Sequence, residues 1–242
     1  MIVLFTDFGW EGPYIGQMQA RIHAIAPREP VVNLFADLPA HNPRPAAYLL
    51  PAYAAAFPEG SVFVCVVDPA VGSGWHHPCA VCCDGRKYVG PDNGLFEILR
   101  RRAKSTDVHR ILWRPERMSH SFHGRDLYAP VAARLAAGQA VEMERAAGLR
   151  FPEWPDDLAE IIYIDRFGNA MTGLRSAHVA PDATLKVMGK SLRRLKTFAD
   201  AAPGEGFWYE NANGLVEIAV NEGRADQVFD LVVGDAVSVE IP

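Results

Sequence analysis

The segment Ser61 to Val67 restricts the fold more than any other part of the chain. After its serine it is apolar without interruption and rich in valine, as expected for a strand buried on both faces of a sheet. A similar run, Ile2 to Phe5, is followed by a helical pattern from Pro13 to Ala26. Strands that alternate with helices in this way predict an α/β fold: an N-terminal α/β domain with a central, largely parallel sheet.

The segments after this strand continue the mixed pattern. Cys79 to Cys83 and Lys87 to Val89 predict a β-hairpin, because Asp84 and Gly85 between them are residues that accept the positive φ angles of a tight turn. Leu127 to Ala137 predicts a helix.

The character of the chain changes near residue 150. Pro152, Trp154 and Pro155 indicate a linker, and from Glu160 onward short apolar runs alternate with turn residues. The second half therefore predicts a smaller C-terminal all-β domain that is barrel-like. We place the N-terminal α/β domain at residues 1–150 and the C-terminal β-barrel domain at residues 151–242.

Composition excludes several classes of protein. The net charge of -5 gives no basic surface for nucleic acid, and the arginines at Arg100 to Arg102 are interpreted as a solvated helix end. No apolar run reaches the roughly 18 residues of a membrane helix, so no membrane partner is expected. An apolar strand directly after Met1, with no charged leader, and four cysteines that form no disulfide framework lead us to expect a cytoplasmic location.

Two aspartates stand directly after the apolar runs. Asp7 follows the first strand and Asp68 follows the third, which is where ligands bind in open α/β sheets. A carboxylate there can accept hydrogen bonds from both hydroxyls of a ribose. The structural alternatives are that Asp7 caps the following helix and that Asp68, which precedes a proline, only forms a turn.

Several other residues have both a functional and a structural interpretation. His123, between Phe122 and Gly124, is favoured as a site residue, while Arg125 and Asp126 are equally compatible with a structural ion pair. Asn169 either reads an adenine edge or takes a left-handed turn position. No G-x-G-x-x-G or P-loop string occurs. The cluster of His76, His77, Cys79, Cys82 and Cys83 lacks a second separated ligand pair, so no metal site is expected.

Six strings occur in a fixed order: TDFG, VDPAVG, GPDNG, SFHGRD, DRFGN and NANGLVEIAVNEG. With them the chain resembles the S-adenosylmethionine (SAM) hydroxide adenosyltransferase family, relatives of the SAM-dependent fluorinase and chlorinase. The resemblance spans nearly the whole chain. It implies a homotrimer whose sites lie between the N-terminal domain of one subunit and the C-terminal domain of the next.

The resemblance also implies an activity and a set of site residues. The activity is the hydrolysis of SAM to adenosine and L-methionine, with SAM as the substrate and no separate cofactor. Asp68 and His123 match catalytic positions. The matched substrate-binding residues are Asp7 for the ribose, Ser121 and Phe122 beside C5′, Asp165 for the methionine ammonium, Asn169 for adenine, and Tyr209, Asn211 and Ala212 for the adenine and methionine ends.

One family position differs. An arginine is usual seven residues after the catalytic aspartate, and this chain has Trp75 there. Tryptophan cannot supply charge or a guanidinium fork. Either His76 or another cation substitutes, or hydroxide formation is impaired, or the nucleophile is a halide. A SAM- or adenosine-binding protein with weakened or lost catalysis is the alternative function.

Overall fold

The computed structural model describes residues 1–146 and 150–241. Within these ranges the helices are α1 (Tyr14–Ile25), α2 (Pro43–Ala54), α3 (Glu97–Arg102), α4 (Ala129–Ala136) and α5 (Ala225–Val228). The strands are β1 (Ile2–Thr6), β2 (Val31–Phe35), β3 (Val62–Val66), β4 (Pro78–Cys83), β5 (Arg86–Pro91), β6 (Thr106–Ile111), β7 (Met143–Arg145), β8 (Leu158–Ile164), β9 (Ala170–Arg175), β10 (Thr184–Val187), β11 (Lys190–Leu192), β12 (Gly206–Glu210), β13 (Leu215–Val220) and β14 (Ser238–Glu240).

The chain divides into two compact units. The first contains Met1–Ala47 and Ala54–Glu153, and the second contains Tyr48–Tyr53 and Trp154–Pro242. The domain boundary proposed between residues 150 and 151 stays a prediction. None of the helices in the described ranges combines the length and apolar character needed to span a bilayer.

The first unit is built on a seven-stranded sheet in the order β2-β1-β3-β5-β4-β6-β7. The pairs β1–β2, β1–β3 and β3–β5 are parallel, and the pairs formed by β4 and β6 are antiparallel. The α/β class is therefore confirmed, and the sheet is mixed instead of largely parallel. The cause is the hairpin at Asp84 and Gly85, whose φ angles of 46° and 77° reverse the chain as the sequence predicts.

Burial follows from this layout. Every residue of β1 and β3 is buried, and one face of these strands packs against Met18 and Ile22 of α1 and Val131 of α4. Since β2 and β3 lie on opposite sides of β1, the strand order reverses there. Such reversal points open a crevice beyond the carboxyl ends of the strands.

The second unit contains two antiparallel sheets, β12-β13-β9-β8 and β11-β10-β14. Single bridges join Glu160 to Ala236 and Arg194 to Trp208. Trp208 is fully buried at the centre of its core, and its indole nitrogen donates to the carbonyl of Ala183 at 3.2 Å. The all-β prediction is confirmed, with two linked sheets in place of a single closed barrel.

Candidate active site

Two carboxylates leave the same edge of the first unit's sheet. Thr6 of β1 is paired with Val66 of β3 in parallel register, so Asp7 and Asp68 follow neighbouring strands at their carboxyl ends. The backbone N–H of Asp7 donates to the carbonyl of Val66 at 3.4 Å. The strand reversal thus brings together two side chains that are separated by about sixty residues in sequence.

A cavity of about 290 Å³, called here the first cavity, opens at this edge. Its lining includes every site residue that the sequence predicts within the first unit: Asp7, Asp68, Ser121, Phe122 and His123. Carboxylate, imidazole and aromatic groups therefore face one shared cavity.

Asp7 has a single hydrogen-bond partner for its carboxylate in the described structure, the backbone N–H of His41, which donates to Oδ2 at 3.0 Å. Burial raises the pKa of Asp7, and this hydrogen bond opposes the increase. Helix α1 begins at Tyr14 with Pro13 as its N-cap, so the helix-capping alternative for Asp7 is wrong. His41 was missed, because its position depends on a φ angle of 61° in a loop that carries no distinctive sequence signal.

Asp68 is more deeply buried, with 3% of its side chain exposed. Its Oδ1 accepts the backbone N–H of Ala70 at 3.2 Å and lies 2.8 Å from Nε2 of His76. Its Oδ2 is buried with no partner among the described residues. A turn explains only the contact of Oδ1 with the backbone N–H of Ala70. Oδ2 therefore remains available to a molecule in the first cavity.

The loop that carries Asp68 is fixed by the GPDNG segment. The side-chain amide of Asn93 donates to the carbonyl of Val67 at 2.8 Å, and the backbone N–H of Asp92 donates to the carbonyl of His77 at 2.9 Å. Gly72 has a φ of 78°, and a Cβ there would lie 2.7 Å from the carbonyl oxygen of His120. This close approach joins the loop of Asp68 to the loop that precedes His123.

His123 lies at the start of a π-helical turn, Gly124–Tyr128, that leads into α4. Burial lowers its pKa; Arg114 and His76 act in the same direction, while the carboxylate of Asp68 opposes them. The imidazole is therefore held neutral near physiological pH, as a proton acceptor must be.

The adjacent Arg125 and Asp126 have a structural role. Arg125 donates to both carboxylate oxygens of Asp126 at 2.7 and 2.9 Å, and the backbone N–H of Ser119 donates to Oδ2 at 2.8 Å. This pair holds the turn that begins next to His123.

An aromatic wall bounds the first cavity. Phe122 meets the rings of Phe8 and Tyr14 edge-on, at centroid distances of 5.6 and 5.4 Å. Gly124 leaves room for this packing, because a Cβ at that position would lie 2.9 Å from Phe8. Phe8 and Tyr14 were not predicted as site residues, although Phe8 belongs to the TDFG string.

The predicted site residues of the second unit lie at two places: the turn between β8 and β9, and the end of β12 with the turn that follows it. At the first turn, Oδ1 of Asp165 accepts the N–H groups of Phe167 and Asn169, and the side chain of Asn169 donates to Oδ2 at 3.1 Å. Gly168, with a φ of 83°, takes the left-handed position. The turn-position alternative for Asn169 is therefore wrong, and its contact with adenine stays a prediction.

At the end of β12 a buried glutamate, Glu217, holds two predicted residues. The hydroxyl of Tyr209 and the side-chain amide of Asn211 both donate to Glu217, whose pKa is raised by burial. Ala212 is exposed in the turn beside them. Glu217 was missed; its only sequence signal is a single carboxylate inside the apolar run of β13.

A second cavity of about 300 Å³ borders the first at His123, which lines both. His76, His77 and Arg114 also line it. Among the residues that the structure describes, no three histidine, cysteine, aspartate or glutamate side chains are grouped to hold a metal ion. His76 instead contacts Asp68.

Comparisons with known proteins agree over both units. Residues 2–145 and 159–238 match the models of the SAM hydroxide adenosyltransferase N-terminal and C-terminal domains. A Thermus thermophilus protein named (R)-S-adenosyl-L-methionine hydrolase is 36% identical over 253 residues, covering 96% of each chain. A Salinispora tropica protein of the same name is 32% identical over 250 residues, covering 97% of this chain and 95% of its own. The crystal structure of a conserved Thermotoga maritima protein has a TM-score of 0.90 at 28% identity, and covers 99% of this chain and 100% of its own.

Proposed function

The chain belongs to the SAM hydroxide adenosyltransferase family, and on this premise we propose that it hydrolyses SAM to adenosine and L-methionine. The observation that carries the proposal is the first cavity, where Asp68 and His123 face the same space and Oδ2 of Asp68 has no partner in the described structure. A buried carboxylate oxygen without a partner is costly, and a bound water would satisfy it.

The reaction needs a positioned and deprotonated water but no acid for the leaving group. The water oxygen forms a bond to C5′ as the C5′–S bond breaks, and the electron pair of that bond goes to sulfur, so methionine leaves as a neutral thioether. Asp68 accepts a hydrogen bond from the attacking water through Oδ2. His123, kept neutral by burial, accepts the proton and passes it to solvent.

Binding of the substrate is assigned to the remaining residues. Asp7 accepts hydrogen bonds from the ribose hydroxyls, and Ser121 and Phe122 lie beside C5′. In the second unit, Asp165 binds the methionine ammonium, Asn169 contacts adenine, and Tyr209, Asn211 and Ala212 lie against the two ends of SAM. Glu217 supports this assignment by fixing two of these side chains.

We also propose an oligomeric state and a cellular location for the protein. We assign a homotrimer with sites between subunits, which light scattering of the purified protein can test. The four free cysteines suit a reducing compartment such as the cytoplasm. No cofactor is required, since SAM itself supplies the reactive carbon.

The test is incubation of the protein with SAM, followed by quantitation of adenosine and methionine. We expect both products in equal amounts, and slower formation by about 10²- to 10⁴-fold in His123→Asn. His23→Asn, at an exposed position of α1, is the matched control and keeps wild-type activity. A protein that is stabilised by SAM but forms no adenosine above the spontaneous background is a binding protein, and this result contradicts the proposal.

Two further assays refine the substrate and the nucleophile. The relatives' name specifies the (R) form, so we expect the two sulfonium epimers to react at different rates. Halide as nucleophile is disfavoured because the buried carboxylate of Asp68 repels an anion. Chloride or fluoride in place of water would give a 5′-halogenated nucleoside, which mass spectrometry distinguishes from adenosine.

A further inference from the structure

His76 and Asp68 form a buried pair between the two cavities. Nε2 of His76 lies 2.8 Å from Oδ1 of Asp68, and only 9% and 3% of the two side chains are exposed. Asp68 lines the first cavity, whereas His76 lines the second. The pair therefore connects the proposed water site to a separate space.

We propose that His76 is a positioning residue, whose imidazole holds the carboxylate of Asp68 in the orientation that leaves Oδ2 for the attacking water. The proposal rests on the proposed hydrolysis and adds to it a role for a residue outside the substrate cavity.

His76 restricts the orientation of the Asp68 carboxylate. Oδ1 of Asp68 is occupied by His76 and by the backbone N–H of Ala70, which leaves Oδ2 for the water. Without His76 the carboxylate would retain one weak backbone contact and could rotate. A shift of the attacking water by about 1 Å is enough to slow a displacement by roughly 100-fold.

Asp68 is the acidic partner of His76 at the second cavity. The other titratable and charged groups that line this cavity with His76 are Arg114, His77, His120, His123 and Tyr128. None of these is a carboxylate, and Nε2 of His76 lies 2.8 Å from Oδ1 of Asp68. Hydrogen bonds to a carboxylate are stronger than those between neutral groups, so removing the donor at residue 76 should loosen the carboxylate.

Of the two neighbouring residues, His76 contacts Asp68 and Trp75 does not. The side chain of Trp75 is 80% exposed, and its carbonyl accepts a hydrogen bond from Arg150 at 3.0 Å. The loop therefore directs residue 75 outward and residue 76 onto Asp68. Trp75→Arg should accordingly change the turnover rate by less than about threefold, as for a surface substitution.

The test is the kcat and KM of four proteins: wild type, His76→Arg, His76→Leu and His77→Gln. Arginine keeps a hydrogen-bond donor, and the second cavity gives it room. We expect His76→Arg to remain active. Leucine has no donor, so His76→Leu should lower kcat by about 10- to 100-fold with KM changed less than twofold.

His77→Gln is the matched control, because His77 is an exposed neighbour that lines the same cavity. It should keep the wild-type kcat and KM. Wild-type kcat in His76→Leu, or a decrease in His76→Arg as large as that in His76→Leu, would overturn the proposal. Thermal melting of each variant separates these results from loss of folding.

A second measurement does not depend on turnover. Nuclear magnetic resonance of isotope-labelled histidines reports the hydrogen bond at Nε2 of His76 directly, and Asp68→Asn should change the Nε2 chemical shift of His76. A chemical shift that does not change overturns the proposal. If the wild type forms no adenosine, the proposed hydrolysis fails, while this measurement still decides whether Asp68 contacts His76.

Discussion

Gly90→Ala should distort the sheet beside Asp68. Gly90 lies in β5, which pairs with β3 in parallel register. A Cβ at this position would lie 2.2 Å from the carbonyl oxygen of Cys65 and 3.0 Å from the ring of Phe96. Carbon and oxygen atoms of adjacent strands normally stay about 3.3 Å apart. The strands must therefore separate by about 1 Å, or the chain must bend, three residues before the catalytic aspartate.

The free-energy cost of Gly90→Ala depends on the backbone atoms that have to move. Overpacking a core costs about 1–3 kcal/mol and occasionally more, and here backbone must move, so we expect about 3 kcal/mol. For a chain of this length that corresponds to a decrease in Tm of about 6–12 °C. The displacement of Asp68 should lower kcat by roughly 100-fold.

Thermal denaturation followed by circular dichroism, together with the adenosine assay, measures both effects. Gly16→Ala is the matched control, because Gly16 lies in α1 with no atom within 4 Å of the added Cβ; it should raise stability by about 0.5–1 kcal/mol. If Gly90→Ala and the wild type have the same Tm, the carbonyl oxygen of Cys65 does not approach Gly90 as closely as described, and the expected displacement of Asp68 is wrong.

Three further predictions concern the site and its support. Because burial lowers the pKa of His123, the acid-side decrease in the kcat of the wild type should be centred below the ordinary value of 6.5, and an acid-side decrease centred above 6.5 would contradict this. Asp7→Asn should lower kcat/KM by about 10- to 100-fold, mainly through KM, and an unchanged KM would exclude ribose binding by Asp7. Asp126→Asn should lower the free energy of unfolding by about 1–3 kcal/mol near neutral pH. Since Arg125 lowers the pKa of Asp126, this contribution is present above the unfolded pKa and is lost as pH falls through the folded one. Denaturant titrations should therefore show the two proteins converging in acid, and a constant difference would contradict the ion pair.

The sequence predicted the features that depend on local patterns. Continuous apolar runs identified β1 and β3 as strands buried on both faces, and the aspartate after each run marked the strand end. Asp84 and Gly85 identified the hairpin, since few other residues accept its φ angles. The strand order that brings Asp7 next to Asp68 was not predicted, because it depends on pairing between distant segments.

Features that depend on contacts between distant segments were not predictable in the same way. The approach of His76 to Asp68 requires the loop between them to be closed by Asn93 and Asp92, which come later in the chain. The π-helical turn before α4 differs from an α-helix by one hydrogen-bond step, whereas Leu127 to Ala137 reads as one continuous helix. The periodicity of apolar side chains does not distinguish a π-helical turn from an α-helical one.

The most direct test of the account is the fate of oxygen when the protein acts on SAM in water enriched in the heavy oxygen isotope. We predict one heavy oxygen in the 5′-hydroxyl of adenosine and none in methionine. Unlabelled adenosine, or products of cleavage at another carbon bonded to the sulfonium, would contradict attack by a water held at Asp68 and His123.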